Sequence, residues 1–99
     1  MTEQEKMDGT QAQIAEPWID IKFQLGPVKE VGVNGTQIER VLEVLKERLE
    51  GFQNGDFRCR TNALAITKIE EAIMWLEERT KVRIAQGVEG TNQVHEEIE

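Results

Sequence analysis

Residues 61–85 read TNALAITKIEEAIMWLEERTKVRIA, and their apolar spacing decides the fold. Ile66, Ile69, Ile73 and Leu76 recur three and four apart, the period of one helix face. The spacing predicts a helix over 61–85, about 35 Å long at 1.5 Å rise per residue, with Gly87 as its stop. Asn62 falls on the same seam, where an apolar residue is expected. Upstream, Ile38, Leu42, Leu45, Leu49 and Phe52 are spaced four, three, four, three. This is the seam of a second helix, over 37–50, that packs lengthwise on another. Gly51 is placed to end it in a left-handed position, and Asn54-Gly55 is a turn signal. Val44, Leu64 and Trp75 lie off the seams and suggest a second apolar surface, hence a homo-oligomer built by helix packing.

Before the helices, WIDIKFQL (18–25) alternates strictly, with Ile19, Ile21, Phe23 and Leu25 on one side, as a half-buried strand does. Gly26-Pro27 breaks it, because Pro has no N–H for a ladder. VKEVGV (28–33) reads as a shorter partner strand. Asn34 or Thr36 is placed to cap the first long helix. The fold class is therefore α+β: a β-hairpin followed by a long antiparallel α-helical hairpin, assembled as a homo-oligomer.

The chain has 99 residues, enough for one small domain with a modest core. The ends account for the whole net charge of −7: residues 1–16 carry four carboxylates against Lys6, and residues 89–99 carry four more. Residues 17–88 are neutral. We read 1–16 as a disordered acidic tail, 17–92 as the single domain and 93–99 as a second acidic tail. A neutral folded part argues against duplex nucleic-acid binding, which needs a basic face, although a few arginines could still hold a compact anion. No apolar run is long enough to span a membrane, and the polar N-terminus is not a signal peptide. A lone Cys59 rules out an intramolecular disulfide, suits a reducing compartment and reads as a packing residue. His95, the only histidine, falls in the C-terminal tail and reads as solvated.

Candidate chemistry is sparse. No P-loop, G-x-G-x-x-G or G-x-S-x-G is present, and no histidine lies in the folded part to serve as general base. No enzyme, metal or cofactor is expected. Arg79 and Arg83 share one helix face near its end. They either complement the negative end of the helix dipole or clamp an anion, two planar forks suited to a pyrophosphate. Phe52 either folds back on its own helix end or offers a stacking face to a purine or ribose. Asn62 is either a cap or first-turn residue or an amide that reads a base edge or ribose hydroxyl. Phe52 and Asn62 sit at the hairpin tip, roughly 25 Å by helical rise from the arginines. The four can surround one ligand only if two chains pack tail to turn.

The blocks IKFQLGPVKEVGVNG, FQNGDFRCRTNALAITKIEEAIMWLEERT and RIAQGVEGT resemble the phage anti-Thoeris proteins of the signal-sponge type, across roughly residues 18–92. These share a helical-hairpin domain with phage anti-CBASS cyclic-nucleotide sponges. The resemblance implies a non-enzymatic protein of the host bacterial cytoplasm. It would sequester, intact, the glycocyclic ADP-ribose isomers made by TIR-domain immune enzymes. Some members also bind cyclic dinucleotides or cyclic trinucleotides, the latter at a separate site. It further implies a hexamer built from dimers and a pocket at a subunit interface. Carried over residue by residue, that pocket is Phe52, Asn62, Arg79 and Arg83. Arg60, Gly35 and Thr36 are weaker candidates for the trinucleotide site. Gly87, Val88, Glu89, Gly90 and Thr91 form a loop able to close over a ligand, although Glu89 would repel a phosphate unless it contacts ribose hydroxyls. The other readings are an oligomeric structural or adaptor protein and a nucleotide-signal hydrolase.

Overall fold

The structure, a computed structural model, describes residues 1–94; His95 and the rest of the acidic C-terminal tail lie outside them. The order is α1 (Glu3–Asp8), β1 (Gln13–Glu16), β2 (Ile19–Lys22), α2 (Val28–Val31), α3 (Ile38–Gln53) and α4 (Arg60–Ala85). The two long helices pack on each other as the seams require, with Ile66, Ile69, Ile73 and Leu76 half-buried between them. Lys46 pairs with Glu70 across the packing at 3.5 Å. Gly51 lies inside α3, which runs on to Gln53, so it does not end that helix. Gln37 is the N-cap residue of α3 and makes no side-chain cap bond. Asn34 and Thr36 therefore do not cap it.

The β-hairpin forms one step earlier than its sequence pattern suggests. β2 pairs antiparallel with β1, from Gln13 opposite Lys22 to Glu16 opposite Ile19. Pro17 and Trp18 make the two-residue connection. Trp18 adopts φ 74°, a left-handed value that turns usually reserve for glycine, and its side chain is fully exposed. Residues 28–31 are a helical turn, not a strand. Pro27 precedes it with φ −67°, and the Gly32 amide closes it on the Val28 carbonyl at 2.9 Å. Val28 and Val31, three apart, serve a helical face as readily as a pleat.

Residues 1–16, which the composition reads as a tail, carry α1 and β1 in the structure. Thr2 and Glu5 form a reciprocal capping box, and Gly9 closes α1 at φ 80°. The Glu5 carboxylate accepts the amides of Thr2 at 3.0 Å and Ala12 at 2.9 Å, joining α1 to β1. These amides, Thr2 first, hold the Glu5 pKa below the ordinary carboxylate value. The junction is therefore complete above the ordinary value and weakens as pH falls through the lowered one. Acid titration followed by NMR should release the Thr2 and Ala12 amides together, below the pH at which exposed glutamates titrate.

Side chains fasten the segment between β2 and α3. Gln24 donates to the carbonyls of Gly26 and Gly32 and accepts the amide of Asn34. Asn34 exchanges two hydrogen bonds with the Leu25 backbone, at 2.8 and 2.7 Å. Thr36 bridges to Phe23, its amide donating to the Lys22 carbonyl at 2.8 Å. Gly35 allows this approach. A Cβ there would collide with the Phe23 carbonyl and stand 2.7 Å from the Gln24 nitrogen. Gly35→Ala should cost about 1–3 kcal/mol in denaturant unfolding, because the neighbour is backbone and cannot turn aside.

The core is thin. Among the described residues Val88 is the one buried apolar side chain, at 7% exposure. Val44, Leu64 and Trp75, the off-seam residues, are exposed.

Candidate anion site

Arg79 and Arg83 end α4 on one face but have different surroundings. Arg83 is 9% exposed and holds the loop that follows the helix. One of its terminal nitrogens donates to the carbonyls of Val88 at 2.9 Å and Thr91 at 3.0 Å. Its Nε lies 3.3 Å from a Glu89 carboxylate oxygen. The Thr91 hydroxyl donates to the Val88 carbonyl as well. Gly87 and Gly90, at φ 73° and 76°, bend the loop so that those carbonyls face inward. Loop 87–91 is thus folded onto Arg83, and Glu89 neutralises that arginine rather than standing against a phosphate unpaired.

Arg79 is exposed and makes no hydrogen bond or ion pair among the described residues. It lines two adjoining cavities. The smaller, about 170 Å³, is walled by polar groups, among them Gln4, Asp8, Arg83, Glu89 and Asn92. The larger, about 540 Å³, has an apolar floor of Ala12, Ile14, Phe23 and Ile38, with Thr36 on its edge. Asp8, Gln24, Gln37 and Arg79 belong to both cavities. The arrangement presents an unneutralised guanidinium, with all its donors available, between a polar recess and one that can take a flat apolar group.

Phe52 and Asn62 are brought together at the far end of the hairpin. The Phe52 ring stands edge-on to Phe57, centroids 6.4 Å apart, and Asn62 Nδ2 donates to the Phe57 carbonyl at 3.3 Å. Asn62 is thus the third residue of α4 and no cap; Cys59 occupies the N-cap position. Arg48 lies over the Phe52 ring, 4.7 Å from its centroid, so one face of the ring already carries a cation. Arg60 is exposed at the same tip. Gly35 and Thr36 lie at the opposite end, beside Arg79. No single chain unites the tip residues with the arginines, because nearly the whole length of α4 separates them.

Cys59 is exposed, not packed. Its sulfur makes no capping bond. The Thr61 hydroxyl, 3.2 Å away, and then the first-turn amides of Asn62 and Thr61 still favour the thiolate and lower its pKa. Among the described residues no group of three or more His, Cys, Asp or Glu side chains is placed to hold a metal. None of the described helices is long and apolar enough to cross a membrane.

Sequence reasoning did not find Asp8, Gln4 or Phe23 at the arginine end. Phe23 was legible only as a strand residue. Asp8 and Gln4 belong to a segment whose acidic composition reads as a tail.

Residues 16–81 match the family described as Acb2/Tad1, hairpin domain, and the chain belongs to it. It is similar to Thoeris anti-defense 1 of Bacillus phage SBSphiJ7, with 53% identity over 73 residues. That match covers 74% of this chain and 51% of the relative, so the chain spans about half the length of the curated protein it resembles.

Proposed function

We propose that the chain is a phage or prophage anti-defence protein. It binds cyclic ADP-ribose isomers made by TIR-domain enzymes of Thoeris and holds them intact in the host cell. Arg79 carries this reading. A guanidinium with no protein partner among the described residues, set between two cavities, is a ready site for a pyrophosphate such as a cyclic ADP-ribose isomer carries. Its relative's name, Thoeris anti-defense 1, supports the same biological setting.

The complete pocket is built between two chains, with Phe52 and Asn62 of one meeting Arg79 and Arg83 of the other. Surface area supports the association. The chain exposes 7807 Å², whereas a compact monomer of its mass exposes about 5,700 Å². Its radius of gyration is 16.3 Å against about 12.6 Å for a compact chain of this length. The excess is more than the roughly 800 Å² that one standard interface conceals on each partner. A hexamer built from dimers is the assembly to test, by light scattering on the eluted protein. A trinucleotide site using Arg60, Gly35 and Thr36 would also need two chains, since Arg60 lies at the tip and the others at the base.

A thermal-shift screen tests the reading. Cyclic ADP-ribose isomers, cyclic dinucleotides and cyclic trinucleotides are each added in excess. A ligand at about 100 times its Kd stabilises by about 2.7 kcal/mol, which a domain this small registers as a clear rise in Tm. A rise with the ADP-ribose isomers is expected. No rise with any of these compounds would favour a structural or adaptor protein.

A further inference from the structure

We propose that α1 is a working wall of the arginine site, in which Asp8 selects ligands that present a ribose diol beside the phosphate and Gln4 holds the wall in place. The proposal deepens the anion-binding reading and rests on it. The segment that carries it, residues 1–15, lies outside the part of the chain that matches the family.

Two ties fix α1 where it lies, and its own caps define its ends. Gln4 and Asn92, at opposite ends of the chain, exchange a reciprocal pair of amide hydrogen bonds at 3.0 and 3.2 Å. The Glu5 carboxylate ties α1 to the start of β1 through the Ala12 amide. The capping box and the left-handed Gly9 define both ends of the helix. A six-residue helix does not hold itself together in water, so its position depends on these ties. They bring Asp8 to the boundary of the two cavities that Arg79 lines, and Gln4 into the polar one.

The chemistry at that boundary is selective. The second Gln4 side-chain N–H donates to Asp8 Oδ1 at 2.9 Å, which orients the carboxylate. Asp8 Oδ2 makes no hydrogen bond among the described residues. A carboxylate is an acceptor only, so it receives ribose hydroxyls well and repels a phosphate in the same place. Arg79 has the opposite preference. Together they fit a ligand whose phosphate and ribose diol lie side by side, and they disfavour one phosphorylated on that ribose.

The test uses the full chain and two probes: a cyclic ADP-ribose isomer and its analogue lacking the hydroxyls of one ribose. Calorimetry should show the wild type preferring the hydroxylated probe by about tenfold or more, the size of a charge-assisted hydrogen bond. Asp8→Asn keeps the Oδ1 bond to Gln4 and the shape of the wall; it should reduce that preference to about twofold or less. Gln4→Ala should speed hydrogen exchange at the Thr91 amide by about tenfold or more, as the 87–92 loop loses its tie to α1. Undiminished discrimination in Asp8→Asn, or unchanged exchange in Gln4→Ala, overturns the proposal while the anion-binding reading stands. A wild type that binds neither probe removes both.

Discussion

Arg79→Ala is expected to weaken binding of a cyclic ADP-ribose isomer by about 100-fold or more and to leave the fold as it is. The two halves of this expectation have one cause. Among the described residues the Arg79 guanidinium gives no hydrogen bond to the protein and no carboxylate pairs with it. Its removal orphans nothing within the chain, so Tm should stay within about 2 °C of wild type, as for most surface substitutions away from networks. A phosphate placed between the two cavities would lose its fork of donors and its counter-charge together. Arg79→Lys should recover only part of the affinity, because an ammonium restores the charge without the planar fork. Equal affinity in wild type and Arg79→Ala would move the anion site away from this end of α4.

Arg83→Ala is expected to behave differently, lowering stability as well as binding. Arg83 is nearly buried and its donors are committed: the Val88 and Thr91 carbonyls accept from it, and Glu89 faces its Nε. Removing it leaves the Thr91 carbonyl without this donor, strips the Val88 carbonyl of its charged donor while the Thr91 hydroxyl and amide still reach it, and leaves a carboxylate without its cation. Hydrogen bonds from a charged group are worth about 1.5–3 kcal/mol each, so a loss of about 3 kcal/mol is expected, on the order of 15 °C in Tm for a domain of this size. Loop 87–91 should then exchange its amides at rates near those of an open chain. Glu89→Gln separates charge from packing: it removes the neutralising carboxylate while the carbonyl contacts remain, so it should cost less stability than Arg83→Ala. A stable Arg83→Ala with a protected loop would mean that the loop holds itself.

The contrast between these two arginines was not legible in the sequence, although both were. Four residues apart at a helix end, they look equivalent. What separates them is a glycine-flanked loop that turns its carbonyls back onto Arg83, and no residue pattern announces where backbone carbonyls will point. The long helices, by contrast, were legible because a three-four apolar repeat over four or five turns has few other readings. The β-hairpin was half legible. IDIK alternates plainly, but its partner QIAE sits in a polar, acidic stretch, and the connection uses Pro17-Trp18 where Asn-Gly or Gly-Gly would have signalled a turn. VKEV offered two valines three apart, a spacing that cannot separate one helical turn from a short strand. At the tip, the sequence brought Phe52 and Asn62 to one end but gave no sign that Arg48 and Phe57 would both engage the Phe52 ring. N-terminal composition carries no sign that Glu5 sits in a capping box or that Asp8 lines the cavities beside Arg79.

The most direct measurement titrates the wild-type chain with a cyclic ADP-ribose isomer, then denatures the protein and examines the ligand by chromatography. Nanomolar binding, about −12 kcal/mol, is expected if the pocket closes around the pyrophosphate between subunits, and the whole of the bound ligand should return unaltered. Absence of binding, or recovery of the ligand as fragments, would contradict sequestration.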